Sequence, residues 1–504
     1  MQTIRTKILA TMGPAVNKPD VLYALFEAGV GICRLNFSHG SLDEHKQTLD
    51  LIRETAKKFA QPIAVLGDLC GPKIRLGKIK DVNGTGGIPV EVGDEIVVAR
   101  GNFVGEGNRV STILETFVDD VKVGDRVLVE DGMLRFLCTD KNRNEIKMRC
   151  NVGGILKSSK GINLPNTAIN VPSITDRDWE CVDWAVANGL DFLALSFVRH
   201  AKDIELLRGH LQYKRASDIK LISKIEKAEA IQELDAIIDA SDGLMVARGD
   251  LGVEMDVSLV PVLQKDMIKR CQKAGKPSIV ATQMMQSMIE AATPTRAEVS
   301  DVANAIIDGA DAVMLSAETS VGKFPVGAVH VMAHTAHVTE DYLDTHKPTN
   351  AEPPRLARLN NTTTALARGA WRIVNDLKIK LVVIWSQTGS TARVFSKHHF
   401  HCPIVALSSD ANVLRRLAIN YGVIPHRMDK PAKMGDLFAN VDEMLIGRKY
   451  AAEGDAILLI AGWSPATPDT MNGITIHTVG ERWAAVSPTG DAEPQSLVTT
   501  ESVQ

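Results

Sequence analysis

Short runs of apolar, β-branched residues recur from residue 4 to about residue 340, each closing on polar side chains. Eight can be read: "IRTKILATMGP", "GICRLNFSHG", "IAVLGDLCG", "LDFLALSFVR", "IKLISKIE", "DGLMVARGDLG", "PSIVATQMM" and "DAVMLSAETS". Stretches of helical period separate them, among them "KPDVLYALFEAG", "LDEHKQTLDLIRETAKKF", "TDRDWECVDWAVANG" and "LVPVLQKDMIKRCQKAG", the last stopped by Gly275. Strands alternating with helices in this way predict an α/β fold, a parallel (β/α)8 TIM barrel. In that fold the side chains at the C-terminal strand ends form the active site. Those ends carry Arg34, Asn36, Ser38, Asp68, Lys224, Glu226, Asp250, Thr282, Ser316 and Glu318.

One unit breaks the rhythm. After Gly71-Pro72 about a hundred residues intervene before "TDRDWE" resumes it. Within them "PVEVGDEIVVA", "VKVGDRVLVEDGMLRFLC" and "NEIKMRCNVGG" alternate apolar and polar residues between Gly-Asp turns, the texture of a small all-β module. Inserted at the catalytic face, it is expected to act as a lid. Beyond a Pro-rich joint, "HKPTNAEPPR", a helical stretch and the runs "KLVVIWS", "CPIVALS", "DAILLIAG" and "GITIHTV" predict an open α/β domain. The expected divisions are therefore 1–70 with 171–345 for the barrel, and 71–170 for an inserted small β-barrel lid domain. Residues 346–482 make a C-terminal α/β regulatory domain, and 483–504 a disordered tail.

Composition narrows the class without adding chemistry. The chain has 504 residues, 45% hydrophobic and 23% charged, too long for a single core. A net charge of -4 argues against a general nucleic-acid surface. Seven cysteines without a C-x-x-C pair read as reduced thiols, and no apolar run is long enough for a signal peptide or a membrane span. The expectation is a soluble cytoplasmic protein.

The stretch "LISKIEKAEA" sets Lys224 and Glu226 two residues apart, so in an extended strand both point to one side. Alone, that reads as an ion pair ending a strand. Together with the other strand ends it reads as part of a site. Glu226 and Asp250 end adjacent strands, and two carboxylates with room for water and substrate oxygens suit Mg2+ or Mn2+. Gly249 and Gly252 flank Asp250, which lets backbone N–H groups approach an anion. Arg34, Arg75 and His39 add positive charge across the rim. Metal, lysine and arginine together suit a phosphorylated, carboxylate-bearing substrate and phosphoryl transfer, which depends on positioning and electrostatic stabilisation.

The stretches "TKILATMGPA", "RLNFSHG", "GPKIR", "LSFVR", "ISKIE", "MVARGDLGVE", "ATQMM" and "VMLSAETSVGKFP" together resemble the pyruvate kinase family over almost the full chain. The resemblance implies transfer of the phosphoryl group of phosphoenolpyruvate to ADP, giving pyruvate and ATP. It implies that Glu226 and Asp250 hold the divalent ion, and that Lys224 neutralises charge on the phosphoryl in flight and on the enolate. Arg34 would contact the phosphoryl group, and the Gly249 and Asp250 N–H groups would receive the carboxylate. Thr282 would order a proton-donating water near the enolate, with Ser316 and Glu318 continuing the proton path. Asn36, His39 and Arg75 would face the nucleotide. The family is usually a homotetramer.

Two departures from the family pattern carry expectations of their own. The potassium ligands Asn36, Ser38 and Asp68 are present, with Leu69 able to supply a carbonyl, yet Lys73 stands in "GPKIR" where K+-requiring members have Glu. A permanent charge near that position predicts that K+ is dispensable. Arg177 stands where many relatives have Lys and is not assigned to the site. In the third domain Thr388, Gly389, Ser390 and Thr391 lie between a strand and a helix start and resemble the family's effector loop, which implies a phosphorylated allosteric effector. Competing readings are a metal-dependent lyase of a small oxo-acid and a metabolite sensor without turnover. A lyase has no use for the lid and Arg75, and no substitution at Lys224, Glu226, Asp250 or Thr282 favours the sensor.

Overall fold

The fold is that of a computed structural model, which describes residues 4–481 except 82–83, 166, 168–170, 347–351, 353–355, 357, 360–361, 432 and 463–471. The tail expected at 483–504 lies outside the described residues.

The eight apolar runs form eight parallel strands: β1 Lys7–Thr11, β2 Val30–Asn36, β3 Ala64–Asp68, β4 Phe192–Leu195, β5 Lys220–Ile225, β6 Gly243–Ala247, β7 Ser278–Ala281 and β8 Ala312–Leu315. Each pairs with its neighbour and β8 pairs back onto β1, closing the barrel. Alternate residues on each strand face the axis or the helices. Leu9, Ile32, Leu66, Phe192, Ile222, Met245, Ile279 and Met314 fill the axis. Ile8, Cys33, Val65, Leu193, Leu221 and Val313 pack outward on the helices. The inward parity continues upward: Ile32 leads to Arg34, Leu66 to Asp68, and Ile222 to Lys224 and Glu226. The same face that is apolar in the barrel's middle becomes charged at its mouth.

Local signals fix the helices that frame the mouth. Helix Leu42–Phe59 starts at Ser41, whose hydroxyl accepts the Glu44 N–H while Glu44 reaches back, a reciprocal cap worth about 1 kcal/mol. Helix Asp176–Ala187 has the same device in Thr175 and Asp178. Asp178 also accepts the N–H groups of Cys70 at 2.9 Å and Gly71 at 3.2 Å, so it anchors the chain where it leaves the barrel for the insert.

The insert is all-β. A six-stranded sheet and a two-stranded ribbon of Ile88–Val90 with Gly154–Leu156 enclose their own core, which includes Val98, Phe117, Phe136 and Met148. In the third region, strands Val423–Arg427, Ile404–Ser408, Val382–Trp385 and Ala456–Ala461 run parallel in that order, and Gly473–Thr478 adds an antiparallel edge. The strand Val423–Arg427 escaped the sequence reading because "VIPHR" has a two-residue apolar start and a proline. Ala418 and Ile419 of this region close the bottom of the barrel core. A buried Lys397–Asp311 ion pair and Arg415 on Asp191 at 2.7 Å hold the same seam.

Candidate active site

Lys224, on β5, lies at the centre of the barrel mouth. Its ammonium is 3.0 Å from Glu226 Oε1, 3.2 Å from Asp68 Oδ1 and 2.7 Å from Ser196 Oγ, so three acceptors match its three hydrogens. Arg34 makes two contacts of 2.6 Å with Asp68 Oδ2 and donates to Thr11 Oγ1 at 3.0 Å. Asp68 is thus a buried carboxylate between two cations. Burial alone would raise its pKa, but Lys224 and Arg34 outweigh that and hold it below the usual range. Burial likewise works against charge on Lys224, and Asp68 and Glu226 overcome it, keeping the ammonium protonated.

Glu226 behaves in the opposite way. It is 1% exposed, and burial followed by repulsion from Asp250 pushes its carboxyl above the ordinary range despite Lys224. Glu226 Oε2 accepts the Phe197 N–H at 2.8 Å, and Phe197 takes a left-handed φ of 54°. Asp250 lies in the first turn of helix Arg248–Glu254. Two carboxylates whose charges oppose each other, one destabilised by burial, have the chemistry of a hard divalent-cation site completed by substrate and water oxygens. Among the described residues no cluster of three His, Cys, Asp or Glu side chains could hold a metal, so a full protein cage is not what this site offers.

On the far side of β6 and β7, Thr282 Oγ1 accepts the Gly249 N–H at 2.8 Å. Arg248 donates to the Thr282 carbonyl at 2.8 Å and pairs with Asp301 at 2.6 Å. Glu318, fully buried, accepts the N–H of Met285 at 3.1 Å and that of Ser316 at 2.7 Å. Ser316 Oγ is buried with no partner among the described residues.

The nucleotide and cation candidates divide. Asn36 and His39 line a cavity of about 600 Å³ with Met12, Pro14, His45 and Leu51, next to the charged centre. Asn36 Oδ1 accepts the N–H of Ser38, whose side chain is exposed. Leu69 does present a carbonyl inward, but Ser196 Oγ already donates to it at 2.6 Å. Arg75 and Lys73 stay with the insert: Arg75 donates to Ser159 O at 3.0 Å, and Lys73 packs against Gly161. Arg177 pairs with Glu180 on the surface. Thr388, Gly389 and Ser390 line a separate cavity of about 240 Å³ between the third region and the barrel bottom, with Lys220, Arg393 and Arg416, while Thr391 is buried behind them.

Ser196 and Thr11 were not among the residues singled out in the sequence. Ser196 directly follows β4, as Ser316 follows β8, so the strand-end signal that found Ser316 applies to it equally. Arg248, directly after β6, carries the same signal, although its contact with the Thr282 carbonyl depends on where β7 turns.

Family models place the chain. "Pyruvate kinase, barrel domain" matches residues 3–329 and "Pyruvate kinase, alpha/beta domain" residues 364–477. The chain is 37% identical over 478 residues to a pyruvate kinase of Corynebacterium efficiens, covering 95% of this chain and 98% of that protein. It is also 37% identical to one of Bacillus licheniformis and 36% identical to one of Sporosarcina psychrophila, in each case over 95% of this chain and 81% of the relative.

Proposed function

The chain belongs to the pyruvate kinase family, and from that premise we propose how this phosphotransferase uses its barrel mouth. The substrates are phosphoenolpyruvate and ADP, the products pyruvate and ATP. The observation that carries the reading is the ammonium of Lys224, held between Asp68, Glu226 and Ser196 where the barrel opens.

Glu226 and Asp250 hold a divalent ion, Mg2+ or Mn2+, which supplies charge neutralisation for the moving phosphoryl group. Lys224 and Arg34 add fixed positive charge, Lys224 against both the phosphoryl in transit and the enolate left behind. The Gly249 and Asp250 N–H groups take the substrate carboxylate. Thr282 orders the water that protonates the enolate, and Ser316 and Glu318 continue that path; a hydroxyl is too weak an acid to act alone. Asn36 and His39 face the nucleotide, and Arg75 joins them when the lid closes. The cavity they line, with its apolar wall of Met12, Pro14 and Leu51, supports this by offering room for a nucleoside.

We read the enzyme as independent of K+. Three of the four potassium ligands expected from the resemblance already have partners: Asn36 Oδ1 the Ser38 N–H, Asp68 two cations and the Leu69 carbonyl Ser196. Lys73 supplies a further positive charge at the lid hinge. The cavity at Thr388, Gly389 and Ser390, with Thr391 behind it, supports a phosphorylated effector, because Lys220, Arg393 and Arg416 line it. All seven cysteines are free thiols, which supports a cytoplasmic setting, and no described helix is long and apolar enough to cross a membrane. The assembly is a homotetramer on this reading, with neither nucleic acid nor membrane as partner.

A lactate-dehydrogenase-coupled assay with phosphoenolpyruvate, ADP and Mg2+ tests the function. Repeated with AMP, ribose 5-phosphate and fructose 1,6-bisphosphate, it tests the effector. Pyruvate formation that requires ADP is expected; its absence would favour a sensor without turnover, and pyruvate formed without ADP a lyase.

A further inference from the structure

A second cavity, of about 330 Å³, lies on the side of the mouth away from Asn36 and His39, where the insert meets the barrel. Lys73, Ile74 and Leu164 of the insert form one wall. The barrel supplies Phe197 after β4, Lys227 after β5, and Glu254 at the end of the helix after β6. Lys224, Arg34 and Asp250 do not line it. Its size falls at the lower end of the range for small-molecule sites, and Ile74, Leu164 and Phe197 give it an apolar face.

The charges around that face do not cancel. Lys73, Arg199 and Lys227 are set against Glu229 and Glu254. Lys227 and Glu254 neutralise each other at 2.6 Å, both largely buried, and Asn163 Nδ2 donates to the same Glu254 oxygen at 3.1 Å. Glu254 is therefore satisfied within the protein. Arg199 donates to the Val171 carbonyl at 2.6 Å, which fixes its guanidinium beside the cavity. Lys73 has no ion-pair partner among the described residues. Its stem lies in space that a side chain at residue 161 would take, since a Cβ on Gly161 would come within 2.9 Å of Lys73 Cε. Counted over the lining side chains, one positive charge is left over.

We propose that this cavity is a second binding site, for a small monocarboxylate with an apolar body. The carboxylate meets Arg199 and Lys73, and the body lies on Ile74, Leu164 and Phe197. One surplus positive charge matches a monoanion. A phosphate dianion would bring a second negative charge that the lining does not balance, next to Glu229. An occupant touches insert and barrel at once and holds the two together. Phe197 gives the site a route to the barrel mouth, because its N–H binds Glu226 Oε2 at 2.8 Å.

Phenylacetate is the probe, titrated by calorimetry into the full chain with oxalate and Mg2+ present in excess to fill the barrel mouth. Saturable binding with a dissociation constant of about 1 mM or lower is expected. Neutral phenylacetamide should bind about 10-fold more weakly, and Arg199→Met, which removes the charge and keeps the stem, should cost a similar factor. Ala228→Leu narrows the cavity from the barrel side and should abolish binding, with kcat for phosphoenolpyruvate and ADP unchanged. Gln232→Trp, at an exposed lining position, makes the same test should Ala228→Leu fail to fold. Amide hydrogen exchange slowed at 162–164 and 197–199 on binding places the ligand at the junction. No saturable binding to the wild type, equal binding of the amide, or wild-type affinity in the folded cavity variants overturns the proposal.

Discussion

Lys224 and Glu226 stand 3.0 Å apart, an ion pair at the end of a strand, yet neither group is saturated by the other. The ammonium also reaches Asp68 and Ser196, and the carboxylate also accepts the Phe197 N–H and faces the charge of Asp250. The pair is therefore one contact within a network of three acidic and two basic groups. A divalent ion held by Glu226 and Asp250 would compete with Lys224 for the Glu226 carboxylate and would free one N–H of the ammonium for a phosphoryl group.

That exchange predicts a strict metal requirement. Chelation by EDTA should abolish turnover, and Mg2+ or Mn2+ should restore it. Glu226→Gln should weaken Mn2+ binding about 10-fold or more, read by electron paramagnetic resonance titration. Mn2+ affinity at the wild-type level in this variant would take Glu226 out of the metal site.

Ser196 positions Lys224. Removing its hydroxyl leaves a buried ammonium with two acceptors and leaves the Leu69 carbonyl without its donor. Ser196→Ala should lower kcat about 10-fold, the worth of one charge-assisted hydrogen bond. Ser196→Thr, which keeps the hydroxyl, should recover most of the loss. Equal activity in all three proteins contradicts the assignment.

Much of this site was legible because a barrel strand has a period of two. Once "KLISKIE" is read as a strand, the parity that buries Ile222 turns Lys224 and Glu226 to the same axis. The parity of Leu66 does the same for Asp68, and that of Ile32 for Arg34. The pairings across strands were not legible, since they depend on register: that Arg34 and Lys224 share Asp68 follows from how β3 aligns with its neighbours. Arg75 and Lys73 show the other limit. Their charges were plain in the sequence, but the insert carries them, and its position relative to the barrel is not a property of local pattern. The hydrogen bond from Gly249 to Thr282 depends on a left-handed turn that no glycine or asparagine announces.

The proposed independence of K+ rests on the charge of Lys73 near ligands, Asp68 and the Leu69 carbonyl, that already carry protein partners. Turnover in tetramethylammonium buffer should match turnover with added K+. Lys73→Glu should bring in a K+ requirement. Strong K+ activation of the wild type would sink this reading.

Acid stability should depend on His398, which is 1% exposed and whose ring burial lowers the pKa to about 4. Its pKa when folded is below its unfolded value, so the unfolded chain binds the extra proton first. The neutral ring's contribution is intact above about pH 6.5 and is lost as pH falls toward 4, a loss of ~3 kcal/mol. His398→Phe should flatten the dependence of chemical-denaturation stability on pH across that window. An unchanged slope would show that His398 titrates normally.

On the proposed function, phosphoryl transfer depends on the ammonium of Lys224. Phosphorus NMR of phosphoenolpyruvate, ADP and Mg2+ mixed with wild type or Lys224→Met follows substrate loss and ATP formation directly. Because the variant leaves Asp68 and Glu226 buried without that cation, its fold is checked by circular dichroism, with Lys224→Arg as a second variant that keeps the charge. ATP is expected from the wild type, at least about a thousandfold less from Lys224→Met, and partial activity from Lys224→Arg. Near-normal ATP formation by a folded Lys224→Met would contradict it.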